Sequence, residues 1–188
     1  MIPKLIVISA PSGGGKTTIA QEILGRHKEL VFSVSATTRA RRTDEVDGRD
    51  YHFLPREEFE RLINEGQLVE WEELFNELYG TLRREVEAGL GGGRSILFDV
   101  DVRGALSIKK LYGDTAVLIF VRPPDTAALL ERLRKRRTED PEALKRRLDR
   151  VPMEMMQADH FDHQVVNDRL EQAISEVDAL VRGALQKS

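Results

Sequence analysis

"ISAPSGGGKTTIA", residues 8–20, joins an apolar run to a glycine-rich turn that closes on Lys-Thr-Thr. The pattern G-x-x-x-x-G-K-[ST] gathers backbone N–H groups around phosphate oxygens, sets a lysine on the outer phosphates and turns a hydroxyl toward magnesium. Here it reads Ala10, Pro11, Ser12, Gly13, Gly14, Gly15, Lys16, Thr17, with Ala10 in place of the first glycine. Alanine is small enough to leave the turn open, although it reaches φ > 0 less readily than glycine. "KLIVIS" (4–9) ahead of the turn reads as a strand. "KTTIAQEILGRH" (16–27) behind it reads as a helix whose N-terminus faces the anion. That setting separates the loop from a chance glycine turn. "GLGGGRS" (89–95) is the contrast, with at least as many glycines but no Lys-Thr, and a strand rather than a helix after it. It reads as a helix-to-strand loop.

Composition narrows the class around this loop. With 188 residues, 40% apolar and 32% charged, the chain fits one globular domain with a real core. A net charge of -3 gives no sign of general nucleic-acid affinity, and the absence of cysteine excludes disulfides and thiolate metal sites. No apolar run approaches the roughly 18 residues of a membrane span. "LIVISA" is too short for a signal-peptide core and leads straight into the glycine loop. These features predict a cytoplasmic protein.

Outward from the loop, short apolar runs alternate with amphipathic segments. "SILFDV" (95–100), "AVLIFV" (116–121) and "HQVVN" (163–167) join "KLIVIS" as strands, mostly apolar enough to be covered on both faces. "VRGALSIKKLY" (102–112), "DTAALLERLRKRR" (125–137) and "LEQAISEVDALVRGAL" (170–185) repeat apolar residues at helical spacing. The alternation predicts an α/β fold, a parallel sheet with helices on both faces. Residues 32–82 break the rhythm, with "YHFL" and "LVEWEEL" as strand-like pieces and "REEFERLINEG" as a helix between them. They read as an insert folded over the sheet's edge.

A phosphate loop serves GTPases and kinases alike. "FDVDVRG" (98–104) offers a D-x-x-G at a strand end, as a GTPase switch would, but no Asn-Lys-x-Asp for guanine is present; "VND" (166–168) lacks the lysine. The insert instead carries polar groups that a GTPase does not need. "SVSATTRARR" (33–42) sets Ser35, Arg39 and Arg42 close together, and arginine suits bidentate phosphate capture. "DGRDYHF" adds Tyr51, "LYGT" adds Tyr79 and Thr81, and "LVEWEE" places Glu70 in an otherwise apolar strand.

With these segments in view the chain resembles the guanylate kinases, nucleoside-monophosphate kinases of the P-loop class. The likeness runs from "SAPSGGGKTT" through "SVSATTRARR", "EVDGRDYHF", "LVEWEE", "YGT", "FDVDVRGA" and "RLRKRRTED" to "VVND". It implies a three-layer P-loop NTPase fold with a central parallel sheet, a small mixed α/β GMP-binding insert and a helical lid. Residues 1–32, 83–124 and 151–188 would form the core, 33–82 the insert and 125–150 the lid. The implied reaction moves the γ-phosphoryl group of MgATP to GMP, and to dGMP, giving ADP and GDP; neither nucleic acid nor membrane is a partner. ATP would lie on Ala10, Pro11, Ser12, Gly13, Gly14, Gly15, Lys16, Thr17 and Thr18, with Arg132, Arg136 and Asn167 beside it. Arg39, Arg42, Tyr51 and Tyr79 would clamp the GMP phosphate, Ser35 and Thr81 address guanine O6, and Glu70 and Asp101 take the base's donors. Lys16, Arg39, Asp99, Arg136 and Arg147 would serve catalysis, with Thr17 and, through water, Asp99 near the magnesium ion.

The chemistry of the base agrees with a carboxylate at this place. Guanine presents N1–H and a 2-amino group as donors, whereas adenine turns an acceptor at N1 toward Glu70. A site built to pair such groups rejects the unpaired analogue by orders of magnitude. Several positions depart from the family pattern. Lys135 and Arg137 stand where the lid has glycines, Arg103 replaces a glutamine, and "FNELYGT" (75–81) replaces a Gly-Asn before x-Tyr-Gly-Thr. Guanylate-kinase-like protein-binding modules form a second class, which the intact Lys16-Thr17 and lid arginines disfavour. Kinases of other small phosphorylated substrates would not need Glu70 and Thr81 to face a base. His160 and His163, three apart in "DHFDH", lack the further ligands that a zinc site needs.

Overall fold

A computed structural model describes residues 2–74, 76–135 and 141–186, with the side chains of 133–135, 141–144, 146 and 147 also outside the description. Strand β1 (Leu5–Ser9) is buried at all five positions. Its alternation explains why. Ile6 and Ile8 pack with Ile19, Ile23, Leu97, Ile119 and Val121, while Leu5 and Val7 turn the other way onto Val86, Phe98, Ala105, Leu118 and Phe120. A strand covered on both faces belongs in the middle of a parallel sheet. The order is β2-β7-β1-β8-β9, with β2 at Leu30–Phe32, β7 at Ser95–Asp99, β8 at Ala116–Arg122 and β9 at His163–Val166, every pairing parallel.

Helices α1 (Lys16–Arg26) and α7 (Leu170–Gln186) cover one face through Ile19, Ala20, Ile23, Ile174, Val177 and Val181. Helices α3 (Arg83–Gly91) and α4 (Val102–Tyr112) cover the other through Val86, Val102, Ala105 and Ile108. After the edge strand β2 the chain enters a second sheet of order β4-β3-β6-β5. It is built from β3 (Ala36–Thr37), β4 (His52–Phe53), β5 (Leu68–Leu74) and β6 (Glu77–Leu82). Helix α2 (Arg56–Asn64) closes a small core there, in which Phe59 meets Ala36, Leu68, Leu78 and Leu82. Val69 faces away from it into the main core, so β5 ties the two sheets together. Helices α5 (Thr126–Lys135) and α6 (Pro141–Met156) precede β9.

The four long apolar runs form the strands that their patterning predicts. Strands β2, β3 and β6 have no such signature, and helix α3, which reaches Gly91, takes in the start of the stretch expected as a helix-to-strand loop. β2 and β3 are too short for a period to register. β6 contains Gly80, where a side chain would stand 2.7 Å from the Glu70 carbonyl oxygen and 3.1 Å from the Phe59 ring. That close approach takes the place of the expected alternation. Helix α6 runs through residue 150 to Met156, beyond the boundary expected for the lid.

Candidate active site

The phosphate loop leaves β1 and enters α1 with Gly13 at φ 85° and Gly15 at φ 91°, a region that strains other residues. Gly14 is required by space instead: a Cβ there would lie 2.7 Å from the Ala10 Cβ and 3.0 Å from the Pro11 carbonyl oxygen. The same carbonyl accepts from the Gly14 N–H at 2.8 Å, which tightens the turn. Asn167, just past β9, donates through Nδ2 to the Gly14 carbonyl at 2.9 Å, and Arg132 of α5 donates to the Asn167 carbonyl at 2.7 Å. Among the described residues, Arg132 Nη1 and Asn167 Oδ1 are buried polar atoms without a partner. Such groups beside a phosphate loop suit a polar ligand. Lys16 Nζ lies 2.7 Å from Asp99 Oδ1 at the end of β7.

A cleft of about 800 Å³ separates this loop from the second sheet, and Ser35, Tyr51, Glu70, Tyr79, Asp99 and Asp101 all line it. Residues distant in the chain therefore face the same space as the loop. Glu70 Oε1 accepts from the Thr81 hydroxyl at 2.6 Å. Burial pushes the Glu70 carboxyl up to about 7, against the opposing pull of that bond. Its other oxygen rests on the first turn of α4, 2.9 Å from where a Cβ on Gly104 would stand, so the contact needs that glycine. Asp101 caps α4, its Oδ1 accepting from the Gly104 N–H at 2.7 Å. Burial also raises the Tyr51 hydroxyl above its ordinary value, which keeps it a donor.

Not every expected residue lines the cleft. Arg39 stands behind Tyr51, its guanidinium 5.4 Å from that ring's centre and paired with both Glu45 oxygens at 2.7 and 3.0 Å. Arg42 is exposed, and its backbone N–H donates to Glu45 Oε2 at 2.8 Å. Thr81 is fully buried, and its hydroxyl, expected to address O6, donates to Glu70 Oε1. Arg136 lies outside the described residues. Arg147 lies on α6, but its side chain is outside the description.

Three cleft residues carried no sequence signal of their own. Arg150 Nη2 lies 3.1 Å from Asp101 Oδ2 and 3.2 Å from Glu72 Oε2, and its Nε lies 3.3 Å from Glu154 Oε1. Glu154 Oε2 in turn accepts from the Ser12 N–H at 3.2 Å. Burial, then the hydrogen bond to Asp101 and its charge, push the Glu72 carboxyl up, against the opposing pull of Arg150. Arg150 closes a basic run that reads as a solvated helix face, and its i, i+4 spacing from Glu154 is one that ordinary surface ion pairs share.

The donor set for a metal is one hydroxyl, Thr17, and one carboxylate, Asp99, beside a loop of N–H groups. Among the described residues no group of three or more His, Asp or Glu side chains is placed to hold a metal ion. Magnesium keeps its waters and takes few protein oxygens when phosphates supply the rest. The residues present fit that mode of holding it.

Comparison with known proteins gives one answer. A family model described as guanylate kinase matches residues 2–184. A curated guanylate kinase of Salinibacter ruber is 51% identical over 179 residues, covering 95% of each chain. One from Thermotoga maritima is 46% identical over 184 residues, covering 98% of this chain and 88% of its own. The crystal structure of guanylate kinase from Anaplasma phagocytophilum superposes with a TM-score of 0.77 at 31% identity, covering 100% of this chain and 88% of that one.

Proposed function

This chain belongs to the guanylate kinase family and transfers a phosphoryl group from ATP to GMP in purine nucleotide metabolism, and we propose that the two nucleotides meet across the cleft between the phosphate loop and the second sheet. The observation that carries this division is Glu70: a half-buried carboxylate, braced by Thr81, opens onto the same cleft as Lys16. An acceptor pair facing a pocket suits the N1–H and 2-amino donors of guanine.

On this reading Ala10 to Thr18 hold the ATP phosphates, with Asn167 and Arg132 beside them. Lys16 leaves Asp99 for the β- and γ-phosphates. Arg39, Arg42, Tyr51 and Tyr79 hold the GMP phosphate, Ser35 faces O6, and Glu70 and Asp101 read the donor edge; dGMP, which keeps all of these contacts, is accepted as well. An oxygen of the GMP phosphate then attacks the γ-phosphorus while the bond to the β-bridging oxygen breaks. The transfer needs alignment and charge neutralisation from the protein more than covalent chemistry. Magnesium, held with ATP near Thr17 and Asp99, would supply part of that neutralisation. Arg132, Arg136 and Arg147 reach the transferring group when residues 125–150 close, and closure excludes water that would hydrolyse ATP. Residues 33–82 move as the GMP-binding insert and 125–150 as the lid, against a core of 1–32, 83–124 and 151–188, in the cytoplasm, where both substrates are at hand. Among the described residues no helix is long and apolar enough to cross a membrane.

A coupled assay with ATP against GMP, AMP, CMP and UMP tests the reading. GMP should be turned over at least about a hundred-fold more efficiently than AMP, as expected where a base's polar groups are specifically paired. Comparable rates for AMP would overturn the placement of the guanine site.

A further inference from the structure

We propose that Arg150 is a positioning residue of the guanine site: reaching in from α6, it fixes Asp101 and Glu72 so that Asp101 presents an acceptor to the 2-amino group of the base. The proposal rests on the guanylate kinase reading and extends it to a side chain that neither the motifs nor the reaction singles out.

The geometry is a bracket across three parts of the molecule. One guanidinium nitrogen, Nη2, lies 3.1 Å from Asp101 Oδ2 and 3.2 Å from Glu72 Oε2. The bracket thus joins α6 to the N-terminal cap of α4 and to β5 of the second sheet. Nε of the same side chain lies 3.3 Å from Glu154, one helical turn on, and Glu154 holds the Ser12 N–H of the phosphate loop. The guanidinium is planar and rigid, so anchoring it at Nε fixes the direction in which Nη2 points.

Asp101 is held at both ends. Oδ1 accepts from the Gly104 N–H at 2.7 Å and Oδ2 from Arg150, so the carboxylate plane cannot turn about either contact alone. Each carboxylate oxygen has two lone pairs, which leaves an acceptor direction on each for a ligand. Removing the guanidinium has two consequences. Asp101 keeps its cap but loses the rigid guanidinium on Oδ2 and gains freedom to rotate. Glu72 loses the same cation, so the proton it holds against Asp101 becomes the one remaining tie between these two carboxyls on the cleft wall. Both disturb Asp101, whereas Glu70 keeps its own brace from Thr81. The loss should therefore fall on the group that Asp101 reads, not on the whole base.

IMP is the probe that isolates it, because it shares the phosphate, ribose, O6 and N1–H of GMP and lacks only the 2-amino group. The experiment measures kcat/KM for GMP and for IMP in the parent protein, R150M and R150K, with thermal unfolding of each as a check on folding. R150M should lose about ten-fold for GMP, through KM, and less than about two-fold for IMP, so that the ratio falls by roughly five-fold or more. R150K, which keeps the charge but not the fork, should lie between. A merely structural role would lower both substrates equally, and equal losses, or an unchanged ratio in both variants, overturn the proposal. Should R150M fail to fold, the R150K ratio decides in the same way. A parent that prefers GMP while neither variant alters the ratio leaves the family reading intact and removes only Arg150's role. A parent that does not distinguish GMP from IMP removes the guanine site and Arg150's role together.

Discussion

At the scale of single residues, Glu70 and Lys16 carry opposite halves of the cleft. Glu70→Gln keeps the size and one acceptor but turns an NH₂ toward guanine's own donors. GMP should lose about 2–4 kcal/mol, and kcat/KM for GMP over AMP should fall by roughly ten-fold or more. An unchanged ratio would mean that Glu70 does not read the base. The same residue makes a pH prediction. Its carboxyl is raised to about 7 from an ordinary 4.5, so folding favours the protonated form. That contribution to stability is complete below pH 4.5 and is lost as the pH rises through about 7. Glu70→Gln removes the titration, so its melting temperature relative to the parent should be higher at pH 8 than at pH 4.5. A constant difference across that range would show that Glu70 is not perturbed. Lys16→Ala acts on the other side. Turnover should be abolished while GMP still binds within about three-fold by calorimetry, because the proposed function places Lys16 on the donor's phosphates. Loss of GMP affinity together with turnover would contradict this separation of the two sites.

At the scale of elements, the phosphate loop depends on what its neighbours lend it. Asn167 after β9 and Arg132 from α5 tie it down from outside, while Gly14 is pressed against Ala10 from within. A second tie joins α1 to α7. The buried His27 that ends α1 lies 2.8 Å, through Nε2, from Asp178 Oδ1 on α7, and Arg182 also donates to Asp178. Burial pushes the Asp178 carboxyl up, but the hydrogen bonds from His27 and Arg182 outweigh it and hold it below the ordinary 3.8. A depressed carboxyl stabilises the fold above its unfolded value and loses that contribution as the pH falls through the folded one. Asp178→Asn should therefore cost about 1–3 kcal/mol at pH 7, and the cost should shrink on acidification below about pH 4. Denaturant titrations at the two pH values measure it. An equal cost at both would show that packing, not charge, makes the contact.

At the scale of the whole molecule, the cleft walls come from separate parts of the chain: the loop and β7 from the core, Glu70 and Tyr79 from the second sheet, Arg150 and Glu154 from α6. Two nucleotides brought together with water excluded require those parts to approach one another. Solution scattering should show a smaller radius of gyration when GMP and a non-hydrolysable ATP analogue are both bound than with neither. An unchanged radius would count against closure.

Much of this molecule was legible in the chain itself. The phosphate loop is local chemistry, eight consecutive residues between a strand and a helix, and its glycines are needed by backbone geometry that the sequence states directly. The buried strands β1, β7 and β8 announced themselves because a strand covered on both faces must be apolar throughout. Glu70 stood out by the same logic, as a charge inside an apolar run. Tertiary structure alone decided what these groups touch. Thr81 turns to Glu70, not to open space, and Glu45 holds Arg39 across a loop. Arg150, one more cation in a basic run, proves to lie between Asp101 and Glu72. A charged residue on a helix is ordinary until the fold brings a carboxylate to it from 49 or 78 positions away. Contacts of that span follow from how the second sheet and α6 pack around the core, and no local periodicity encodes them.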